Sequence, residues 1–115
     1  MSYKIFNIKF NFDCNADINL LSGKIISGKC SIDEIKEFAL CLAREGKYYE
    51  AIKLFLKLTD SGAANEGYYL LQAGYCYFIK EEYAKCIPLI LMYLSKDGND
   101  FQAHLVLGAA YYYID

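Results

Sequence analysis

Several features that would assign a function directly are absent from this sequence of 115 residues. It has no run of basic residues and a net charge of −2, which argues against binding nucleic acid through phosphates. No stretch approaches the roughly 20 uninterrupted apolar residues of a membrane-spanning helix. The start of the chain is broken by Lys4, Asn7 and Lys9, so it lacks the apolar centre of a secretory signal. We therefore expect a cytoplasmic protein with no membrane span and no nucleic-acid partner.

The residues that carry catalysis or metal binding are also sparse. There is no glycine-rich phosphate loop with its lysine, and no Cys-x-x-Cys pair. The one histidine, His104, falls on the apolar stripe of the last predicted helix, where we expect it to be packed and hydrogen-bonded. Its spacing to the cysteines does not match a zinc site. The sequence thus predicts no enzyme, no metal and no cofactor.

The five cysteines are an odd number, which does not suit a disulfide framework. Cys41 and Cys76 occupy equivalent places 35 residues apart, and Cys86 stands where an earlier segment has Ala51. Small apolar residues of a core are placed in this way. We expect buried thiols in a reducing compartment.

What the sequence does contain is a repeat. Tyr48 and Tyr83 are separated by 83 − 48 = 35 residues, and Ala39 and Gly74 by the same interval. A third copy begins near Gly108, which follows Gly74 by 34 residues. Repeats of this length that consist of paired helices stack on one another, and such proteins usually bind other proteins.

Five helices are predicted from Ser31 onward. Ser31 and Glu34 form a capping box that starts a helix running to Arg44, and Gly46 ends it. The later helices are expected at Tyr49 to Thr59, Gly67 to Ile79, Tyr83 to Leu94, and from Phe101 to the last residue.

The first 30 residues give a weaker signal. Ile8, Phe10 and Phe12 alternate with polar residues, which predicts an extended or strand-like arm with one apolar face. Residues 13–30 are expected to be irregular, with a possible short helix from Ala16 to Leu21 and breakers at Ser22-Gly23.

These residues resemble the tetratricopeptide repeat. The small residues of the first helices are Ala39, Gly74 and Gly108, the turn glycine is Gly46, and the aromatics that follow the turns are Tyr48 and Tyr83. In the second helices, the small residues are Ala51 and Cys86, and the large ones are Phe55 and Ile90. Glu81 departs from the pattern because it replaces the turn glycine. The resemblance implies an all-α fold, a right-handed α-α superhelix of paired antiparallel helices. Its repeats would span residues 31–65, 66–100 and 101–115, after an N-terminal arm of residues 1–30.

The resemblance also implies a concave groove lined by the first helix of each pair. The expected peptide-binding residues are Lys36, Leu40, Arg44, Tyr68, Leu71, Gln72, Tyr75, Phe78, Ile79, Leu105, Val106 and Tyr112. Most of them are apolar, which suits a hydrophobic peptide or one face of an amphipathic helix and argues against a clamp for charged carboxyl termini. The alternative is that these aromatic side chains belong to the core.

The expected function is that of an adaptor or scaffold that binds another protein or peptide in this groove. Two alternatives are a small secretion-system chaperone that shields an export substrate, and a regulatory or targeting module of a longer protein. Homo-oligomers are possible through the N-terminal arm or through an unpartnered stripe of the last helix, formed by Ala103, Leu107, Gly108 and Tyr111. The arm could also lie in the chain's own groove, with Ile8, Phe10 and Phe12 facing inward.

Overall fold

The computed structural model describes residues 8–14, 16–60 and 65–114. Within these ranges the chain forms six helices and no strand: α1 (Ile18–Ile26), α2 (Ile32–Arg44), α3 (Tyr48–Thr59), α4 (Glu66–Ile79), α5 (Tyr83–Leu94) and α6 (Phe101–Ile114). Each helix packs on the next along the chain, and α4 also contacts α6. The predicted all-α class is confirmed for the described residues. The bounds of α2 to α6 agree with the predicted helices to within one residue.

The start of α2 has the predicted capping box. The Ser31 hydroxyl accepts a hydrogen bond from the Glu34 backbone N–H at 3.2 Å, and the Glu34 carboxylate accepts one from the Ser31 N–H at 3.1 Å. Two amides that the first helical turn leaves without partners are satisfied in this way. The sequence pattern was sufficient here because every group involved lies within four residues of chain.

The turns that end α2 and α4 have the same geometry with different residues. Gly46 has a φ of 85° and Glu81 a φ of 61°, both in the left-handed region. In each turn this residue donates its N–H to the carbonyl three residues earlier, at 3.0 Å for Gly46 and 2.9 Å for Glu81. The next residues, Lys47 and Glu82, donate to the carbonyl five residues earlier, at 2.8 and 2.9 Å. These bonds satisfy the last carbonyls of the helix, and they place the following helices α3 and α5 in equivalent positions.

The N-terminal region differs from the prediction. Residues 18–26 form α1, and the cap is Asp17, whose carboxylate accepts from the N–H groups of Asn19 and Leu20. The helix continues through Ser22 and Gly23, which were predicted to break it. A glycine inside a helix costs only about 1 kcal/mol, and burial of Leu21 on the side facing α2 offsets that cost.

Among the glycines of the described residues, Gly74 on α4 is the one most tightly packed against a neighbouring helix. A Cβ atom built there would lie 2.7 Å from the Cδ1 atom of Ile90 on α5, closer than unbonded carbon atoms normally approach. The small residue therefore allows α5 to lie directly against α4. The equivalent residue of α6, Gly108, has no heavy atom within 4 Å of the same built position.

The exposed face of α6 agrees with the prediction only in part: Gly108 and Tyr111 are exposed and Leu107 is half-buried. Ala103, predicted to be exposed, is fully buried, because α6 turns one face toward α5 and α4: Ala103, Val106, Ala109 and Ala110. Exposed residues at helical spacing form what we call the α6 stripe: Phe101, Leu105, Gly108 and Tyr112.

The cysteines are only partly as predicted. Cys76 and Cys86 are free and buried, and burial raises the pKa of each thiol to about 12. Cys14 and Cys41 form a disulfide, with Cα atoms 5.3 Å apart. The expectation that Cys41 is a simple buried thiol was therefore wrong. Its partner Cys14 lies 27 residues earlier, in the segment that precedes α1. The spacing of the cysteines in the sequence does not show that these two side chains meet.

Candidate functional site

The segment of residues 8–14, which we call the arm, lies across the helices without forming a helix or a strand. Its side chains alternate between two environments. Ile8, Phe10, Phe12 and Cys14 pack on the core, whereas Lys9, Asn11 and Asp13 between them are exposed. This alternation is the two-residue period of an extended chain with one buried face. The arm thus uses the apolar face that the sequence predicted for it.

Phe10 contacts two aromatic residues of α4. Its ring centroid lies 4.8 Å from that of Tyr75 and 5.8 Å from that of Phe78. Both distances are typical of favourable aromatic pairs. Tyr75 and Phe78 are among the predicted groove residues, and each is only 5% exposed with the arm in place. The chain's own Phe10 therefore fills the aromatic part of the predicted groove.

Phe12 lies in a second recess two residues further along. Its ring centroid is 6.4 Å from that of Tyr48, the first residue of α3. A cavity of about 320 Å³ remains beside the arm, and Ala43, Arg44 and Ile79 help to line it. Arg44 and Ile79 were predicted groove residues, whereas Tyr48 and Ala43 were not. Tyr48 was not predicted to line the groove, because the repeat pattern already explains an aromatic residue after the turn.

Two side chains from distant helices donate hydrogen bonds to the arm backbone. Gln102 of α6 donates from Nε2 to the Lys9 carbonyl oxygen at 3.0 Å. Arg44 of α2 donates from its guanidinium to the carbonyl oxygen of Cys14. Backbone carbonyls carry no sequence information, so these contacts recognise an extended chain rather than a particular side chain. Contacts from α2, α3, α4 and α6 thus converge on one short segment.

The other predicted groove residues have different places. Leu40 and Leu71 are buried members of the core cluster, and Lys36 and Gln72 are half-buried. Tyr68, Leu105 and Tyr112 are exposed, and the ring contacts of Tyr68 and Tyr112 are with their neighbours Tyr69 and Tyr113. Val106 is fully buried, so its predicted place on the groove surface was wrong. The rotation of α6 about its axis directs this residue toward the helices behind the groove.

The electrostatics of the groove are set by burial. Burial is the main reason that the pKa of the Tyr75 hydroxyl lies above its usual range. Burial, and then the charges of Glu37 and Asp13, raise the pKa of Tyr68. Both tyrosines are therefore neutral at physiological pH. The aromatic part of the groove is therefore uncharged and favours apolar side chains, whereas Arg44 places a positive charge at the neighbouring cavity.

The described part of the chain offers little to metal chemistry. No group of three or more His, Cys, Asp or Glu residues within it lies close enough together to hold a metal ion. His104 is exposed rather than buried, which corrects the predicted packing, although its Nε2 atom does lie 2.8 Å from the Gly98 carbonyl oxygen.

None of the described helices is long and apolar enough to cross a bilayer. Comparison with known proteins adds no relative: no protein-family model, no curated protein and no solved structure gives a significant match to this chain. A functional assignment must therefore be argued from the arm and the helices that hold it.

Proposed function

We propose that this chain is a protein-interaction module that binds an apolar segment of another protein in its concave groove. The observation that carries the proposal is the placement of Phe10 against Tyr75 and Phe78. An apolar side chain from a sequence-distant segment already occupies this surface, so the surface can accept such a side chain. The proposed role is binding and not catalysis.

We further propose that α2 to α6 form a superhelix similar to that of tetratricopeptide repeats. Two observations support this assignment. The turns at Gly46 and Glu81 have matching hydrogen bonds, and the small residue Gly74 lies at the close approach of α4 and α5. A repeated helical pair with equivalent turns is the unit from which such superhelices are built.

The compartment we propose is the cytoplasm. Cys30, Cys76 and Cys86 are free thiols, which suits a reducing environment. The Cys14–Cys41 disulfide is the observation against this assignment, because glutathione keeps most cytoplasmic cysteines reduced. Acid quenching of cells, followed by denaturation, alkylation and mass spectrometry, distinguishes the two: a reducing compartment predicts that Cys14 and Cys41, both buried in the folded chain, are alkylated and that their disulfide forms only after isolation. Blocked thiols at both positions would reject a reducing compartment.

The binding proposal can be tested with a library of random peptides displayed on phage. The bait is the full chain carrying Phe10→Ser and Phe12→Ser, which weakens the arm's hold on the groove. Selected peptides are then measured against two further variants of the bait. Ile79→Glu places a charge at the groove cavity, and Ile26→Glu places one on the exposed side of α1.

We expect the selected peptides to lose most of their affinity for the Ile79→Glu variant, because the new carboxylate would have to be desolvated on binding. Affinity for the Ile26→Glu variant should be unchanged. Equal affinity for both variants, with helical circular dichroism preserved, would place the binding surface elsewhere and reject the proposal.

A further inference from the structure

We infer that the partner segment binds in an extended conformation and carries two large apolar residues, preferably aromatic, at positions i and i+2. The inference rests on the proposed function and specifies its ligand. The arm serves as the template, because it is the segment that occupies the groove in this structure. An amphipathic helix is the ligand class that the inference excludes.

The two recesses require this spacing. Phe10 lies against Tyr75 of α4, and Phe12 lies against Tyr48 of α3, with the exposed Asn11 between them. In an extended chain, residues i and i+2 point to the same side and are about 6.5 Å apart. In a helix, the same two residues point in directions about 160° apart, so only one of them could enter a recess.

The hydrogen bonds to the arm lead to the same conclusion. Gln102 and Arg44 donate to the carbonyl oxygens of Lys9 and Cys14, which are five residues apart. In a helical ligand, interior carbonyls already accept hydrogen bonds from amides four residues later. An extended ligand leaves its carbonyls open to both donors.

The arm sets the affinity that a partner segment needs, because the two compete for the same groove. Because it is tethered beside the groove, its effective concentration is on the order of millimolar or above. The identical arm of a second copy gains nothing by replacing it at lower concentrations. We therefore assign the occupant to a different protein, whose segment fits better than the arm. The cavity of about 320 Å³ beside Asn11 shows where a larger side chain adds contacts.

Synthetic peptides test this inference on the full chain carrying Phe10→Ser and Phe12→Ser. The first peptide has the sequence of residues 8–13, and the second has the same composition with the third and fourth residues exchanged. The exchange makes the two phenylalanines adjacent and destroys the i, i+2 spacing. A third replaces the asparagine by leucine, and a fourth is an amphipathic helix of leucine and lysine with a helical period.

We expect the first peptide to bind the variant about tenfold or more tightly than the exchanged peptide, since the exchange removes one aromatic ring from its recess. The leucine peptide should bind more tightly still. Wild-type protein should bind all of them more weakly than the variant, because its own arm competes. Light scattering that shows dimers of the wild type at micromolar concentration, retained in Leu105→Ser/Tyr112→Ser and lost in Phe10→Ser/Phe12→Ser, would instead assign the groove to a second copy and overturn the inference.

The outcomes separate this inference from the proposed function. Binding of the helical peptide at the groove, with no preference between the first two peptides, overturns the extended ligand and leaves a peptide-binding groove. Failure of every peptide, with no peptide selected from the phage library, rejects both.

If the double variant loses its helical circular dichroism, wild type labelled with fluorophenylalanine is used. Displacement of its Phe10 signal by the first peptide, but not by the exchanged one, is then the expected result, and equal displacement overturns the inference.

Discussion

The groove wall on α4 and the α6 stripe are both rich in large apolar side chains, yet they differ in what covers them. Tyr75 and Phe78 are each 5% exposed, whereas Phe101 is 79% and Tyr112 58% exposed. Part of the difference arises from the arm, which reaches α4 from nearly 70 residues earlier in the sequence, and Phe78 also packs on Tyr83 of α5 and Tyr113 of α6. Residue type and helical spacing therefore do not determine burial here; packing by segments distant in sequence does.

The comparison also separates two uses of an apolar surface. On the groove side, aromatic rings, two hydrogen bonds and a disulfide hold the arm in one place. On α6, apolar side chains face outward, and Gly108 leaves a gap in their centre. The predictions below disturb one side at a time.

The largest expected effect comes from the Cys14–Cys41 disulfide. Reduction should lower the free energy of unfolding by about 3–4 kcal/mol, because the bond closes a loop with a sequence separation of 27 residues. Urea unfolding with and without a phosphine reductant measures the change. Cys14→Ser is the control, since its stability should not respond to the reductant. An equal response of wild type and control would contradict the prediction.

Phe10→Ala should destabilise the protein by about 1–2 kcal/mol, because the ring is half-buried against two aromatic partners. The variant should also bind more of a hydrophobic dye as Tyr75 and Phe78 become exposed. Phe101→Ala is the matched control on the α6 stripe, and we expect its stability to stay within about 0.5 kcal/mol of wild type. Similar losses in both variants would remove the distinction between the two surfaces.

High pH should lower the stability of the folded protein through Tyr75, by less than the Phe10→Ala substitution does. The pKa of Tyr75 is raised in the folded state, chiefly by burial, from a reference value of 10.0. Its contribution to stability is therefore complete below that value and decreases as pH rises above it, because only the unfolded state then releases the proton. Thermal unfolding from pH 8 to 11 should show a steeper decline in wild type than in Tyr75→Phe. Parallel curves for the two proteins would refute this prediction.

The smallest effect on stability is expected for Leu105→Ser combined with Tyr112→Ser. Both residues are exposed, so the free energy of unfolding should change by no more than about 0.5 kcal/mol. Self-association through the last helix stays a prediction from sequence, and this variant tests it for the α6 stripe. Sedimentation velocity should show less association than in wild type at equal concentration. Unchanged association would exclude the stripe as the contact.

The parts of the fold that could be predicted depend on local chemistry. The α2 capping box, the turn at Gly46 and the bounds of α5 involve residues a few positions apart. α1 was predicted too short, as a helix ending at Leu21, because Ser22 and Gly23 looked like breakers, and only packing on α2 shows why they are tolerated.

The candidate site was harder to predict, because its contacts join distant residues. Tyr75 and Phe78, two of the predicted groove residues, contact Phe10 of the arm, whereas the contact of Phe12 with Tyr48 was missed. The hydrogen bond from Gln102 to Lys9 joins residues 93 positions apart, and no repeat pattern could show which surface the arm would cover. Occupation of the groove by the arm was foreseen only as one possibility among several.

The left-handed backbone conformation of Glu81 bears on which substitutions this protein can accept during evolution. A side chain at that φ costs on the order of 1 kcal/mol relative to glycine, and the first turn shows that glycine serves the same geometry. A single substitution, Glu81→Gly, would therefore remove this backbone cost and supply a stability reserve, less whatever the Glu81 side chain itself contributes at the turn. Such a reserve would let the groove accept otherwise destabilising changes, and so new binding specificities, without loss of the folded state.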